Sequence, residues 1–459
     1  MNHLFDLYRK LPFGVKRALK YGYSLIPLNY RLGKRFFKQL DFLEQSQWWS
    51  RQELENYQNE QLRMLIEHAY TNVPYYNRIF KDSKLAPSDI QTIHDLHKIP
   101  LLTKDIVRDR LDDFIAGNYK KGQLIHITTS GTSGEILDIY CDPITEFING
   151  GPFEWRFYRW GGWNFDDICA VFKAGYFGRK KSGTKQIFEY NPIQKRVFFS
   201  IYDLEERNLE YYLDGFQKFS ITVLHGYPTW IEKLVDILLA NQIQKPFTPK
   251  AIFTISELLL PEYREKIESY FESKIYDWYG MQERTVIGCE CEKHDGHHIN
   301  SEFGIVEFIE NSSGDKKGDL EIVATGLMNY AMPFIRYKTG DYATSIQKNC
   351  VCKRGLPLMK LLGGRGRNAI IDKQGNTRYV IGILDKFSEF LSQYQFVQKD
   401  KGKIEVRIIP KKCFDSKEEK AFDEVLKAEC GENFEFSVIR VEKIRPTPNG
   451  KIPLVVTEK

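Results

Sequence analysis

A short run of small and hydroxyl side chains has the composition of a phosphate-binding loop. It follows a strand-like segment and consists of Thr129, Ser130, Gly131, Thr132, Ser133 and Gly134. Small residues let the backbone approach phosphate oxygens closely, and hydroxyl and amide groups donate hydrogen bonds to them. The run lacks the lysine of a Walker loop, so it does not indicate the usual NTPase fold. On its own such a run is more often an ordinary loop.

Two further motifs carry groups that could hold the rest of a nucleotide. In the first, an aromatic ring precedes a glycine at Tyr279-Gly280, and the carboxylate of Glu283 follows about one turn later. The ring could form one wall of a base slot, and the carboxylate could hold magnesium on phosphate. A buried tyrosine and a surface glutamate would look the same. In the second motif, Asp341 follows a Gly turn and could accept hydrogen bonds from both ribose hydroxyls.

Two Cys-x-Cys pairs suggest a metal centre. They are Cys289-x-Cys291 and Cys350-x-Cys352, and three histidines follow the first pair closely. Thiolate and imidazole are the ligands of tetrahedral structural zinc sites. The favoured ligands are Cys291, His298, Cys350 and Cys352, and such a zinc would be structural. The alternative is a set of buried thiols and exposed histidines.

The intervening pattern predicts the elements that must position these groups. Strand-like runs at 125–127, 221–224 and 251–255 each lead into polar or glycine-containing turns, and helical patterns at 230–240 and 261–271 follow two of them. Strand, turn and helix in succession predict a parallel sheet with ligand groups at its carboxyl edge.

The pattern changes after a cluster of glycine and arginine at 363–367. Strands are expected at 369–372 and 403–409 and an amphipathic helix at 417–428. The predicted division of the chain is therefore 1–45, 46–366 and 367–459, with a hinge at the Gly-Arg cluster. A chain of 459 residues is also too long for one ordinary core.

Composition and charge narrow the class of protein. With 42% hydrophobic and 28% charged residues, no long apolar run and no secretory signal, a cytoplasmic protein is expected. The net charge of +5 is concentrated at the start, where residues 1–40 carry nine Lys or Arg and one acid, Asp6. This basic segment could contact an acidic membrane surface, or it could be a solvated arm packed on the main domain. No nucleic-acid-binding module is recognisable.

The order of the motifs resembles that of the adenylate-forming superfamily. The Ser/Thr/Gly loop, the Tyr-Gly-x-x-Glu element, the Arg-x-x-Thr-Gly-Asp element at 336–341, the Gly-Arg cluster and a late Gly-Lys at 450–451 follow in that sequence. Segments 67–76 and 99–104 look like the phenylacetate-CoA ligase branch. The ending at 446–451 and the paired cysteines are closer to its CapK-type members of capsular polysaccharide biosynthesis.

This resemblance implies a fold and a reaction. The fold is α/β, with a large N-terminal adenylate-forming domain of β-sheets and packed helices and a small α+β C-terminal lid domain. The reaction is ATP-dependent, Mg²⁺-assisted activation of a carboxylic acid as acyl-AMP, followed by transfer to CoA or a sugar acceptor, in surface polysaccharide assembly. A nucleotide-binding scaffold that has lost catalysis is the alternative from a different class.

The resemblance also implies a role for each motif residue. Thr129 to Gly134 would cradle the ATP phosphates, and Glu283 would help to hold magnesium. The implied adenine-site residues are Ser256, Glu257, Tyr279 and Gly280. Asp341 would bind the ribose, Arg365 would lie at the domain boundary, and Lys451 would reach the reacting carboxylate. The aromatic stretch 153–163 could wall a pocket for an aromatic acid, although such stretches are more often helix core.

Overall fold

The computed structural model describes most of the chain. Described are residues 11–128, 137–173, 187–310, 320–364, 369–375, 377–380, 387, 390–411, 414–446 and 452–458. The predicted phosphate-loop residues Thr129 to Gly134, together with Arg365 and Lys451, lie outside these ranges. The domain boundary predicted at 366–367 lies outside them as well and stays a prediction.

Local signals at the helix ends explain where the helices begin and stop. The α-helices are α1 (Phe13–Ser24), α2 (Leu28–Ser46), α3 (Arg51–Asn72), α4 (Pro74–Asp82), α5 (Lys104–Asp109), α6 (Gly151–Trp160), α7 (Leu209–Lys218), α8 (Pro228–Ala240), α9 (Pro261–Phe271) and α10 (Ser416–Cys430). A capping box between Ser50 and Glu53 starts α3. Proline stands at the first position of α4, α8 and α9, where its missing N–H costs no hydrogen bond.

Most strands join one large mixed sheet. The strands are β1 (Ile125–Thr128), β2 (Asp138–Cys141), β3 (Cys169–Phe172), β4 (Phe188–Asn191), β5 (Arg196–Phe199), β6 (Val223–Gly226), β7 (Ala251–Ile255), β8 (Ile275–Gly280), β9 (Ile287–Glu290), β10 (His297–Ile299), β11 (Gly304–Glu310), β12 (Leu320–Gly326), β13 (Tyr337–Ile346), β14 (Leu358–Gly364), β15 (Ala369–Ile371), β16 (Thr377–Tyr379), β17 (Leu391–Asp400), β18 (Lys403–Pro410), β19 (Glu435–Arg440) and β20 (Val455–Thr457). The order in the large sheet is β11-β12-β13-β14-β10-β9-β8-β7-β6-β3-β5-β4.

The predicted parallel arrangement is confirmed in the middle of this sheet. Strands β5, β3, β6, β7 and β8 are parallel neighbours, and helices α8 and α9 make the crossovers from β6 to β7 and from β7 to β8. The other pairings of the large sheet are antiparallel.

The strand predicted at 125–127 exists but lies elsewhere. It forms β1 and pairs antiparallel with β2 in a separate two-stranded sheet, so its expected place in the parallel sheet is wrong. The predicted strand at 221–224 is shifted along the chain to Val223–Gly226. Its buried pattern continues through Gly226, where a Cβ atom would meet the Phe172 carbonyl oxygen at 2.4 Å. Glycine therefore allows the end of β6 to approach β3 closely.

Apolar side chains cover both faces of the parallel strands. One cluster includes Leu224, Ile252 and Ile275 and packs under α7, α8 and α9. The cluster on the other face includes Val223 and Phe253 and packs under α6. Such two-sided burial is the reason these strands read as continuous hydrophobic runs.

The smaller C-terminal domain has its own sheet and core. Its four strands have the order β19-β18-β17-β20, and Phe396, Val406 and Phe422 are among the buried side chains between this sheet and α10. Two residues near the end of the chain, Ile444 and Ile452, pack instead into the core cluster of the large domain. The two domains are therefore in contact through the segment that carries the late Gly-Lys motif.

The C-terminal end of helix α2 is held by a buried ion pair. Arg156 of α6 donates to Glu302 at 2.7 Å and to the Leu43 carbonyl oxygen of α2 at 2.9 Å, and Ser46 donates to the same carboxylate at 2.5 Å. Arg156 and Glu302 are fully buried. Among the described residues, each helix is too short or too polar to span a membrane.

Candidate active site

The carboxyl ends of the parallel strands gather the candidate nucleotide-binding residues at one edge. Ile255 of β7 lies opposite Trp278 of β8, so Ser256 and Glu257 leave β7 beside Tyr279. Ser256 has φ of +67°, a left-handed conformation that is uncommon for a residue with a Cβ. Ser256 and Glu257 therefore lie at the carboxyl end of a parallel strand, which is where ligands bind in parallel sheets.

Tyr279 and Asp341 are in direct contact although 62 residues separate them. The Tyr279 hydroxyl donates to Asp341 Oδ2 at 2.9 Å. The Thr339 hydroxyl oxygen accepts from the Asp341 backbone N–H at 3.0 Å, and Gly340 has φ of +72°. The turn thus aims the aspartate at the tyrosine. The geometry suits a carboxylate that accepts from ribose hydroxyls next to an aromatic base wall.

Glu283 is positioned by the strand that leads to Asp341. The Tyr337 hydroxyl donates to Glu283 Oε1 at 3.1 Å, and Tyr337 is 1% exposed in the core. Glu283 itself is half-buried. The motif at 336–341 therefore positions the carboxylate of the motif at 279–283. Tyr337 is one of the unassigned positions of the 336–341 motif, and the sequence analysis did not predict its contact with Glu283.

Arg336, the first residue of its motif, has a structural role. It makes a double ion pair with Glu307, with distances of 3.0 and 2.9 Å, and it donates to the Ile99 carbonyl oxygen at 2.6 Å. Leu102 then pairs with the motif strand through hydrogen bonds of 2.9 and 2.8 Å to the backbone of residues 336 and 338. Arg336 therefore fixes segment 99–104 to the strand that leads to Asp341.

Glu257 connects the large domain to the end of the chain. It accepts from the Thr229 hydroxyl at 2.6 Å and from the Ile452 backbone N–H at 3.1 Å. Ile452 follows Lys451 directly in the sequence. The structure thus brings the C-terminal segment to the same edge as Tyr279. Sequence reasoning assigned Glu257 only to the adenine site, because nothing local reveals a partner 195 residues away.

The four predicted metal ligands lie together. One ligand atom from each of Cys291, His298, Cys350 and Cys352 lies within 4.8 Å of the others. The Cys291 and Cys350 sulfur atoms are 3.7 Å apart, and the Cys352 sulfur is 3.4 Å from His298 Nε2. A tetrahedral zinc with Zn–S of about 2.3 Å and Zn–N of about 2.05 Å has an S···S edge of about 3.8 Å and an S···N edge of about 3.6 Å. These two edges of the cluster are close to the expected values.

Groups around the cluster orient its ligands. His298 Nδ1 lies 3.2 Å from the Leu356 carbonyl oxygen, a contact that orients the ring so that Nε2 faces the sulfurs. The Arg354 backbone N–H donates to the Cys352 sulfur at 3.4 Å. Burial raises the pKa of the Cys352 thiol, but hydrogen bonds from His298 and Arg354 outweigh it and bring that pKa to about 6. The thiolate is the form that binds metal.

The neighbouring histidines are engaged elsewhere. His297 Nε2 lies 3.0 Å from Asp277, and His294 Nδ1 lies 3.5 Å from Glu290. The strand alternation of β10 explains the difference, since His297 and His298 point to opposite faces.

The aromatic stretch predicted as a candidate pocket wall forms helix α6. Phe153, Phe157 and Trp160 are at most 8% exposed and belong to the core between α6 and the sheet. The structure therefore supports the alternative interpretation, helix core, for these rings.

A polar cluster that the sequence did not reveal lies on the α6 side of the sheet. Glu154 accepts from the Tyr158 hydroxyl at 2.6 Å and from Arg196 at 2.9 Å, and the Tyr158 and His225 rings are 5.7 Å apart. Burial raises the pKa of Glu154, but Arg196 and Lys173 outweigh it and lower that pKa to about 2. Burial lowers the pKa of Lys173, directly after β3, to about 8. The sequence signal for this polar cluster is Lys173, a charged residue directly after the apolar strand β3.

Comparison with known proteins agrees with this geometry. Residues 371–458 match the family model described as the CapK C-terminal domain. The whole chain is similar to Protein CapK of Staphylococcus aureus, with 25% identity over 464 residues that cover 98% of this chain and 97% of the relative. The chain is therefore similar to CapK over nearly its whole length, and its C-terminal part matches the CapK C-terminal domain.

The chain is also similar to proteins named as CoA ligases. It is 24% identical to phenylacetate-coenzyme A ligase of Escherichia coli (strain K12) over 364 residues, which cover 77% of this chain and 81% of the relative. A solved structure of 2-hydroxyisobutyryl-CoA ligase in the postadenylation state with an acyl-AMP has the same fold, with a TM-score of 0.69, 15% identity and coverage of 90% of this chain and 91% of that chain. The expected two-domain α/β fold is thereby confirmed.

Proposed function

We propose that this protein activates a carboxylic acid with ATP, forms an acyl-AMP with release of pyrophosphate, and transfers the acyl group to an acceptor. The observation that carries the proposal is the 2.9 Å contact of Tyr279 with Asp341 at the carboxyl edge of the sheet. Glu283 and Glu257 lie on segments at the same edge, and Glu257 brings in the segment next to Lys451. Four distant parts of the chain thus meet where one nucleotide would bind.

Each residue has a chemical task in this reaction. Asp341 would accept from the ribose hydroxyls, and the Tyr279 ring would lie against the adenine. Glu283 would hold Mg²⁺, because carboxylate oxygens are its preferred protein ligands. When bound, Mg²⁺ supplies positive charge that offsets the repulsion between a carboxylate and the ATP phosphates. Lys451 would supply a second positive charge and orient the acid as the C-terminal segment closes.

The acceptor and the pathway are inferred from similarity. The resemblance to CapK-type members of capsular polysaccharide biosynthesis implies a role in surface polysaccharide assembly, with a sugar acceptor, and the similarity to Protein CapK over nearly the full length supports that resemblance. Similarity to phenylacetate-coenzyme A ligase supports CoA as the acceptor. Since acceptor contacts come from loops, the nucleotide residues serve both cases equally.

The proposal is tested by acid-dependent exchange of labelled pyrophosphate into ATP. Aryl, short aliphatic, hydroxy and dicarboxylic acids are scanned with the wild type, with Asp341→Ala and with Asp82→Ala as a control at an exposed helix end. Two lost hydrogen bonds to a charged group correspond to a decrease of about 100-fold or more for Asp341→Ala, and the control keeps wild-type exchange. ATP binding without exchange for any acid would support the inactive scaffold. Undiminished exchange in Lys451→Ala would refute the role of that lysine.

We also propose that Cys291, His298, Cys350 and Cys352 hold a structural zinc ion. The cluster connects the loop after β9, strand β10 and the loop before β14. It lies on segments other than those that present Tyr279, Asp341 and Glu257. Its expected effect is therefore on stability and not on the chemical step.

A further inference from the structure

Helix α1 turns its apolar side away from the protein. Val15, Leu19 and Tyr23 lie four residues apart on one face of α1, and Ile26 follows two residues after the end of the helix. These four side chains, called the apolar stripe, are 41% to 50% exposed. Lys16, Lys20 and Ser24, on an adjacent side of the helix, are less exposed, and Lys20 forms an ion pair of 3.4 Å with Glu189.

This orientation is the reverse of that of an ordinary surface helix, which buries its apolar face. A 12-residue helix is also marginally stable in water on its own. Leu25 and Tyr30, which follow α1, are 84% and 78% exposed. An apolar surface of this kind marks a site that something else covers.

The charge around the stripe identifies the kind of partner. Nine of the first 40 residues are Lys or Arg and one is acidic, whereas the whole chain has a net charge of only +5, so the remainder is net negative. Lys34, Arg35 and Lys38 are exposed on α2 directly after the stripe. An open groove of about 850 Å³ runs along α2 and includes Lys34 and Lys38 in its lining. Two copies of this surface would repel each other, so the complementary partner is anionic.

We propose that residues 11–38, the basic arm, dock the protein on an anionic lipid bilayer. The apolar stripe would enter the boundary between headgroups and acyl chains, and the exposed tyrosines would lie at headgroup level, where their rings are favoured. The lysines and arginines of α2 would contact lipid phosphates. The large sheet, with the candidate active site at its carboxyl edge, would remain in the water outside the bilayer.

The test is flotation of the full-length protein with vesicles. Phosphatidylcholine vesicles are compared with vesicles of phosphatidylcholine and phosphatidylglycerol. The mixed vesicles are expected to bind at least about tenfold more tightly, and added salt weakens this binding because the arm is exposed. Leu19→Asp, in the stripe, lowers binding at least about tenfold since it introduces a charge at the apolar boundary. Leu239→Asp, a matched change at a 52% exposed leucine of α8, leaves it unchanged.

A second variant separates the two contributions. Charge reversal by Lys34→Glu with Arg35→Glu keeps the stripe and removes the preference for anionic vesicles. Circular dichroism verifies that each variant is folded. Equal binding to both vesicle types, or full binding by Leu19→Asp, would overturn the proposal. A dimer in solution that Leu19→Asp dissociates would also overturn it, because a second copy would then cover the stripe.

Discussion

Removal of one cysteine ligand is the sharpest test of the proposed zinc site. Cys352→Ser replaces a sulfur that lies 3.4 Å from His298 Nε2, close to the edge length of about 3.6 Å expected for tetrahedral zinc. Cys430→Ser is the matched control, since this cysteine lies in α10 of the C-terminal domain, outside the cluster. The variant is expected to lose zinc and stability, and the control is expected to keep both.

The size of the effect follows from the binding equilibrium. Zinc at roughly 1,000 times its dissociation constant stabilises the folded state by about 4 kcal/mol. For a large domain, 1 kcal/mol shifts the melting temperature by about 2 °C. Loss of zinc in Cys352→Ser therefore lowers the melting temperature of the large domain by about 8 °C. Treatment of the wild type with a strong chelator produces a shift of the same size, and it produces no further shift in Cys352→Ser.

The assay combines elemental analysis with differential scanning calorimetry. The protein is purified without chelators and without an immobilised-metal column. Wild type and Cys430→Ser are expected to contain about one equivalent of zinc, and Cys352→Ser little. Wild type with less than about half an equivalent, together with equal melting temperatures for both serine variants, would refute the metal site. The 3.7 Å sulfur separation would then reflect packed thiols.

Three other substitutions test the remaining parts of the site and its support. Glu257→Ala removes the acceptor of the hydrogen bond from the Ile452 N–H, which contributes about 1.5 kcal/mol. Single-turnover formation of acyl-AMP should therefore slow about tenfold. An unchanged rate would show that this contact does not position the C-terminal segment. Tyr279→Phe keeps the ring but frees Asp341 from its hydroxyl, and KM for ATP should change less than about tenfold, well below the effect of Asp341→Ala. Arg156→Met leaves a buried carboxylate without its partner, and urea denaturation should show a loss of about 3–5 kcal/mol; a loss below about 1 kcal/mol would contradict that role.

The sequence by itself determined the local elements and the inventory of reactive groups. Helix α9 and strand β7 have the predicted bounds, because prolines and hydrophobic periodicity act within a few residues. The order of motifs also indicated the family. The four favoured metal ligands were named from spacing and residue type, since soft ligands in two close pairs are rare outside metal sites.

Only the tertiary structure decided which of these groups meet. The strand at 125–127 has a hydrophobic pattern that suits a hairpin and a parallel sheet equally, and its pairing with β2 depends on long-range packing. The contact between Glu257 and Ile452 joins residues 195 positions apart, and no local signal encodes such a pairing. The outward face of α1 is a further case, because periodicity defines an apolar side but not its direction. Direction, pairing and contact arise when whole elements bury their surfaces against one another, and that balance is set by the complete fold.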